Sequence, residues 1–114
     1  MAVKNSIKAI PLSSIDSATF TGAYQLLSGA AGITNACFML RITNNSTVPV
    51  TVSYDGVNDH DFVLNATTLV VPPSTISQPN NFLANFAQGQ KVYVKGGAGV
   101  GLVYLAGYFQ PSAG

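Results

Sequence analysis

Apolar and polar residues alternate with a period of two through the middle and the end of this chain. Val48, Val50, Val52 and Tyr54 interleave with Pro49, Thr51 and Ser53, and Phe38, Leu40 and Ile42 interleave with Met39 and Arg41. Successive side chains of a strand point to opposite faces, so each run predicts a strand with one apolar face. Asn44-Asn45-Ser46 lies between the two runs. Such residues bond their own backbone and tolerate turn conformations, which predicts a hairpin. Lys91–Lys95 alternates as cleanly, with Val92 and Val94 inward and Tyr93 outward. Gly96-Gly97-Ala98-Gly99 then predicts a flexible hairpin turn into a last strand, Leu102–Phe109. Shorter strands are expected at Phe62–Leu64 and at Thr68–Val71, the second stopped by Pro72-Pro73, which lack the N–H a ladder needs.

The N-terminal third is patterned less strongly. Ile7–Leu12 and Thr21–Leu27 read as strands, with Ile15–Phe20 linking them and Ser28–Thr34 a small-residue loop. The signal over Ser74–Phe86 is mixed: Asn80-Asn81 is a turn, and Phe82–Phe86 reads equally as strand or as one helical turn. Met1–Ser6 is expected to be an arm that adds to a sheet edge of another subunit, a mode that gains main-chain hydrogen bonds at little sequence cost. No run of helix length carries helical spacing, and Gly, Pro, Asn and Ser punctuate the chain at intervals typical of short strands. The expected fold is all-β: one antiparallel sandwich spanning residues 1–114, jelly-roll or immunoglobulin-like.

The last strand is apolar on both faces. Leu102, Tyr104, Ala106 and Tyr108 share one, and Val103, Leu105 and Phe109 share the other. A strand apolar on both faces is buried on both. Either it is central with something stacked outside, or its outer face docks a partner. We assign Val103, Leu105 and Phe109 to that outer face and add outward Tyr93 as a fourth interface candidate.

Composition sharpens this expectation. Of 114 residues, 47% are apolar but only 8% are charged, against about 25% in an ordinary soluble domain. Glu and Trp are absent, and the formal net charge is +1. Free monomers normally stay apart through interspersed charge. Interface cores, by contrast, are depleted of charge, because Lys and Glu are costly to desolvate. The surface is therefore expected to be covered by partners, copies of the chain itself among them. Five basic residues scattered along the chain make no phosphate-binding patch, which argues against nucleic acid. The single cysteine, Cys37, sits in an apolar run and reads as a buried, inert thiol. The opening MAVKNSIKAI lacks the apolar core of a signal peptide, and Val100–Phe109 is too short to span a bilayer, so no membrane role is expected.

The chemistry-bearing residues collect in SYDGVNDHDF, residues 53–62, which hold three of the four carboxylates and the only histidine. Asp55, Asp59 and Asp61 are oxygen donors of the kind calcium takes, and they are the metal candidates. Their spacing does not match a calcium loop, which closes on a Glu and keeps its Gly central. Asp-Gly after an alternating strand is a turn signal, so we assign the stretch to structure. Catalysis needs a nucleophile, a base and an orienting group. With one imidazole, no Gly-x-Ser-x-Gly elbow and no Glu, no such set is legible, and neither an enzyme nor a cofactor is expected. Gly96–Gly101 lacks the Lys-Ser/Thr ending of a phosphate loop and joins strands, not a strand and a helix.

From Phe38 onward the segments VTVSYDGVNDHDFVLNA, TTLVVPPS and QGQKVYVKGGAGVGLVYLAGYFQ resemble small virion structural proteins of tailed bacteriophages. The resemblance covers about two thirds of the chain. It implies a β-sandwich without catalytic activity, housed in the virion. It also implies multiple copies that contact the major capsid, portal, neck or tail proteins. It leaves open whether the place is the head, as a decoration protein, or the neck or tail. The alternative is a module at the tail that binds a glycan or host receptor, which outward Tyr and converging Asn/Asp in one pocket would favour.

Overall fold

The computed structural model describes residues 8–71 and 86–109. The expected arm at 1–6 and most of the ambiguous segment at 74–86 lie outside them. Among the described residues there are nine strands: β1 Lys8–Ala9, β2 Ser13–Asp16, β3 Gln25–Leu26, β4 Met39–Ser46, β5 Val50–Ser53, β6 Asp61–Val63, β7 Thr67–Val71, β8 Tyr93–Lys95 and β9 Gly101–Phe109. A single 3-10 turn at Ser17–Thr19 follows β2, capped by the Asp16 carboxylate, which accepts from the Ala18 amide.

The strands form two sheets. The first runs β1-β9-β4-β7, with β2 also on β9; the second runs β3-β8-β5-β6. β1 and β2 lie along the same side of β9, opposite Tyr108–Phe109 and Leu102–Leu105 respectively. They are one edge strand interrupted at Pro11, which has no N–H to give to the ladder. Ile10 still donates to the Gly107 carbonyl at 3.0 Å across the gap. Counted this way there are eight strands, four to a sheet, and all pairs are antiparallel. Every connection except β5–β6 passes from one sheet to the other. That wiring is the double Greek key of a jelly roll, which decides between the two sandwich types the pattern allowed.

The core fills the space between the sheets. Leu40, Ile42, Val103 and Leu105 from the first sheet face Val50, Val52, Val63, Val92 and Val94 from the second, all at 2% exposure or less. Each such burial contributes about 1.5–3 kcal/mol. Ile10, Phe20, Leu27, Ile33 and Cys37 complete the buried cluster. Gly107 belongs to the same packing. A Cβ there would meet Ile10 at 2.8 Å and Leu40 at 3.0 Å, so the missing side chain lets Ile10 reach the core.

Two expected hairpins are not hairpins. Asn44-Asn45-Ser46 is the end of β4, not a turn, and β4 and β5 belong to opposite sheets. Asn44 is fully buried. Its amide donates to the carbonyls of Val48 (2.8 Å), Val63 (3.1 Å) and Leu64 (3.3 Å), and its Oδ1 accepts from the Ser46 amide and hydroxyl. The polar cluster that read as a surface turn is a latch between the sheets. The glycine run likewise connects β8 to β9 across the sandwich. It is clasped and not flexible: Gly22 donates to the Gly96 carbonyl, Gly99 to Ser17, and Val100 exchanges bonds with Thr47. A Cβ at Gly96 would meet the Pro49 carbonyl oxygen, and one at Gly99 the Val48 side chain, both at 2.9 Å. Close approach of backbones explains the glycines. The expected strand at Thr21–Leu27 shrinks to Gln25–Leu26, because Gly22 turns the chain at φ +88.

Candidate interaction surfaces

The β5–β6 connection, residues 54–60, is the one true hairpin among the described residues, and it carries the acidic stretch. Asp55 organises it. Its carboxylate accepts from the amides of Val57 (2.8 Å) and Asn58 (2.9 Å) and from the side chains of Asn58 and Ser53. Those bonds, led by the Asn58 and Val57 amides, hold its pKa well below the usual carboxylate range. Gly56 supplies the positive φ, +77, that the turn requires.

The three carboxylates do not converge. Asp59 turns to Lys95 (3.0 Å) and accepts from the Tyr24 hydroxyl, which together lower its pKa. Asp61 accepts from the Tyr54 hydroxyl at 2.8 Å. Burial first, and then Asp61, push the Tyr54 pKa up. His60 stacks on the Tyr54 ring, its Nδ1 accepts from the Tyr54 amide at 3.0 Å, and its Nε2 lies 3.9 Å from Asp55. Among the described residues no group of three or more His, Cys, Asp or Glu side chains is placed to share an ion. Cys37 is fully buried, and desolvation pushes its thiol pKa up.

The turn folds back over the outer face of the second sheet. Tyr93 lies on that face, between Val92 and Val94, which are buried. It is half-buried: its ring packs against Gly56, where a Cβ would meet it at 2.9 Å, and it meets Tyr24 edge-on at 6.3 Å. Lys95 caps the Tyr24 ring at 4.5 Å. Tyr24, Asp59, Tyr93 and Lys95 thus make one cluster, in which Asp59 joins the Tyr24 hydroxyl to Lys95 and Tyr93 contributes its ring. Phe62, on the neighbouring edge strand, is 57% exposed. Nothing in a three-residue strand showed in advance which side it would take.

The first sheet is different. Val103 and Leu105 are fully buried in the core, and Phe109 packs against it. The two faces of β9 are therefore the reverse of the expected assignment. Alternation separates the two sets but cannot orient them; the register does. Leu105 pairs with Ile42 and lies on the core side, whereas Tyr104 pairs with Thr43 and Tyr108 with Met39 on the outer side. Chemistry agrees, since a tyrosine hydroxyl needs water or a partner and a valine does not. The outer face comprises Leu102, Tyr104, Ala106 and Tyr108, all half-buried, flanked by Met39, Arg41, Thr43 and Asn45 on β4 and by Thr68 and Val70 on β7. Ala9, Ser14 and Asp16 close the other side. Among the described residues of this face only Arg41 and Asp16 are charged, and Arg41 lies over the Tyr108 ring at 5.6 Å. With β9 nine residues long, four strands at about 4.8 Å and a rise of about 3.3 Å per residue, this face projects an area on the order of 500 Å².

No family model, no curated protein and no solved structure matches this chain.

Proposed function

We propose that this protein is a non-enzymatic structural subunit of a tailed-phage virion. It assembles in multiple copies on the head, as a decoration or cement protein, or at the neck or tail. The observation that carries the reading is the outer face of the β4–β9 sheet: four strands wide, tyrosine-bearing and almost free of charge. Such a face loses little by desolvation, and tyrosine is among the residues that anchor interfaces. Its projected area approaches the roughly 800 Å² per partner of ordinary specific association once side-chain relief is added. The jelly roll is also an architecture that capsid domains use, though lectin domains use it too, so the surface and not the fold carries the argument.

The glycan-binding alternative has one observation in its favour, the Tyr24–Asp59–Tyr93–Lys95 cluster. The Tyr24, Asp59 and Lys95 groups are bonded to one another and the turn packs on the Tyr93 ring, so assembly is the better reading. The test is mass spectrometry of purified particles of the source phage, combined with incorporation of Ala106→Lys, which sets a charge in the middle of the face. The chain should be present in many copies and the variant should be lost from particles. Absence of the chain, or normal incorporation of the variant, overturns the reading.

A further inference from the structure

Sheet edges left open are templates for other strands, and proteins normally blunt them with charge, proline or brevity. Among the described residues, three of the four edges are blunted. The β1–β2 edge is broken by Pro11 and flanked by Lys8 and Asp16. β3 is two residues long, and β6 is three residues long and begins with Asp61. The fourth is not. β7 runs five residues, Thr67-Thr68-Leu69-Val70-Val71, without a charge or a proline, and β4 is its only partner among the described residues. Four of the five residues are β-branched, the type that favours strands. Leu69 and Val71 face the core side, opposite Ile42 and Leu40, yet they remain half-exposed while those two are fully buried. Among the described residues, the core is incompletely closed along this edge.

From these observations we propose that β7 pairs antiparallel with β7 of a second copy of this chain, about a two-fold axis. An antiparallel pairing of a strand with itself sets an identical row of N–H and C=O groups against its complement, so one sequence serves both sides. The absence of charge removes the like-charge penalty that a self-pairing would otherwise carry. The product is one continuous sheet across two copies, which doubles the charge-poor outer face in a single surface. The inference rests on the assembly reading above and gives it a partner and a geometry. A five-residue pairing is a small contact, so the dimer is weak when isolated. It is reinforced when many copies are held side by side.

Sedimentation velocity on the purified chain from about 10 µM to about 1 mM tests this, the upper limit being where even a contact of millimolar affinity shows. The expected result is a reversible monomer–dimer equilibrium. Thr68→Lys and Thr68→Glu, each with an unchanged far-UV spectrum, should each weaken it by at least about tenfold. A mixture of the two should recover it, because diagonal neighbours across an antiparallel pair are within reach of long side chains. A chain monomeric throughout, or variants that dimerise normally, overturns the inference. If the chain is a monomer yet abundant in particles, the edge pairing fails and the virion reading stands. If it dimerises through β7 but is absent from particles, the reverse holds.

Discussion

Asn44 holds the two sheets together, and replacing it with alanine measures how much. The side chain is fully buried and makes five contacts within hydrogen-bond distance. Its amide has only two hydrogens for three carbonyls, so about four bonds are made at once. Not every partner is orphaned by its loss. Val48 O keeps the Ser46 hydroxyl at 2.9 Å, and Leu64 O keeps the Thr67 hydroxyl at 2.5 Å. The Ser46 amide loses its side-chain acceptor, and a small void opens between β4 and β6. With the two carbonyls that keep another donor discounted, about two bonds at about 1 kcal/mol each and 1–2 kcal/mol for the stranded donor put the cost of Asn44→Ala at about 3–4 kcal/mol. Asn44→Asp is the sharper probe. A carboxylate there faces three carbonyl oxygens in a dry site, so its folded pKa is raised above the ordinary value near 3.9. The variant should sit nearest the wild type at low pH and lose stability as pH rises through that value. Urea unfolding followed by circular dichroism, with m held constant, reads both effects. An alanine variant within about 0.5 kcal/mol of wild type refutes the latch.

Three further outcomes are expected. Gly101 has φ +108, and a Cβ would lie 2.2 Å from the Asn45 carbonyl oxygen, so Gly101→Ala should lose about 3 kcal/mol in thermal or urea unfolding; a neutral effect contradicts the strain argument. The Asp55 carboxyl should titrate well below the ordinary carboxylate range by NMR, so its contribution to stability is present above pH about 4 and is lost progressively as pH falls from there into strong acid; in Asp55→Asn that acid-labile component should vanish. The Tyr54 hydroxyl should ionise well above the ordinary tyrosine range in an alkaline absorbance titration. The folded state favours its neutral form, so that stability is present below pH about 10 and is lost above it. Tyr54→Phe should remove the late phase.

Much of the fold was legible because alternation survives wherever one face is buried. Val50, Val52, Val92, Val94, Leu40 and Ile42 are all core residues, and the pattern placed each of them inward. The Asp-Gly turn was legible for a different reason: it joins neighbours in the same sheet, where local chemistry decides the path. Connections between sheets left no such mark. Asn44-Asn45-Ser46 has the composition of a turn, and only the approach of β6 in three dimensions makes Asn44 an internal donor. The faces of β9 were separable but not orientable, since both are apolar and the choice depends on which one β4 presents to Val50 and Val52. The β7 edge was invisible for the same reason, because whether a strand is central or terminal is a property of sheet order. The low charge content, by contrast, is a compositional fact, and its meaning sharpened once Arg41 and Asp16 proved to be the only charges on a four-stranded face.

The most direct test of the central claim is hydroxyl-radical footprinting of Tyr104 and Tyr108, on the free chain and on intact particles. Both rings are half-exposed in the isolated fold. The account predicts that their labelling falls several-fold in the particle, while exposed Phe62 on the opposite sheet changes less. Equal labelling of Tyr104 and Tyr108 in the two states would contradict it.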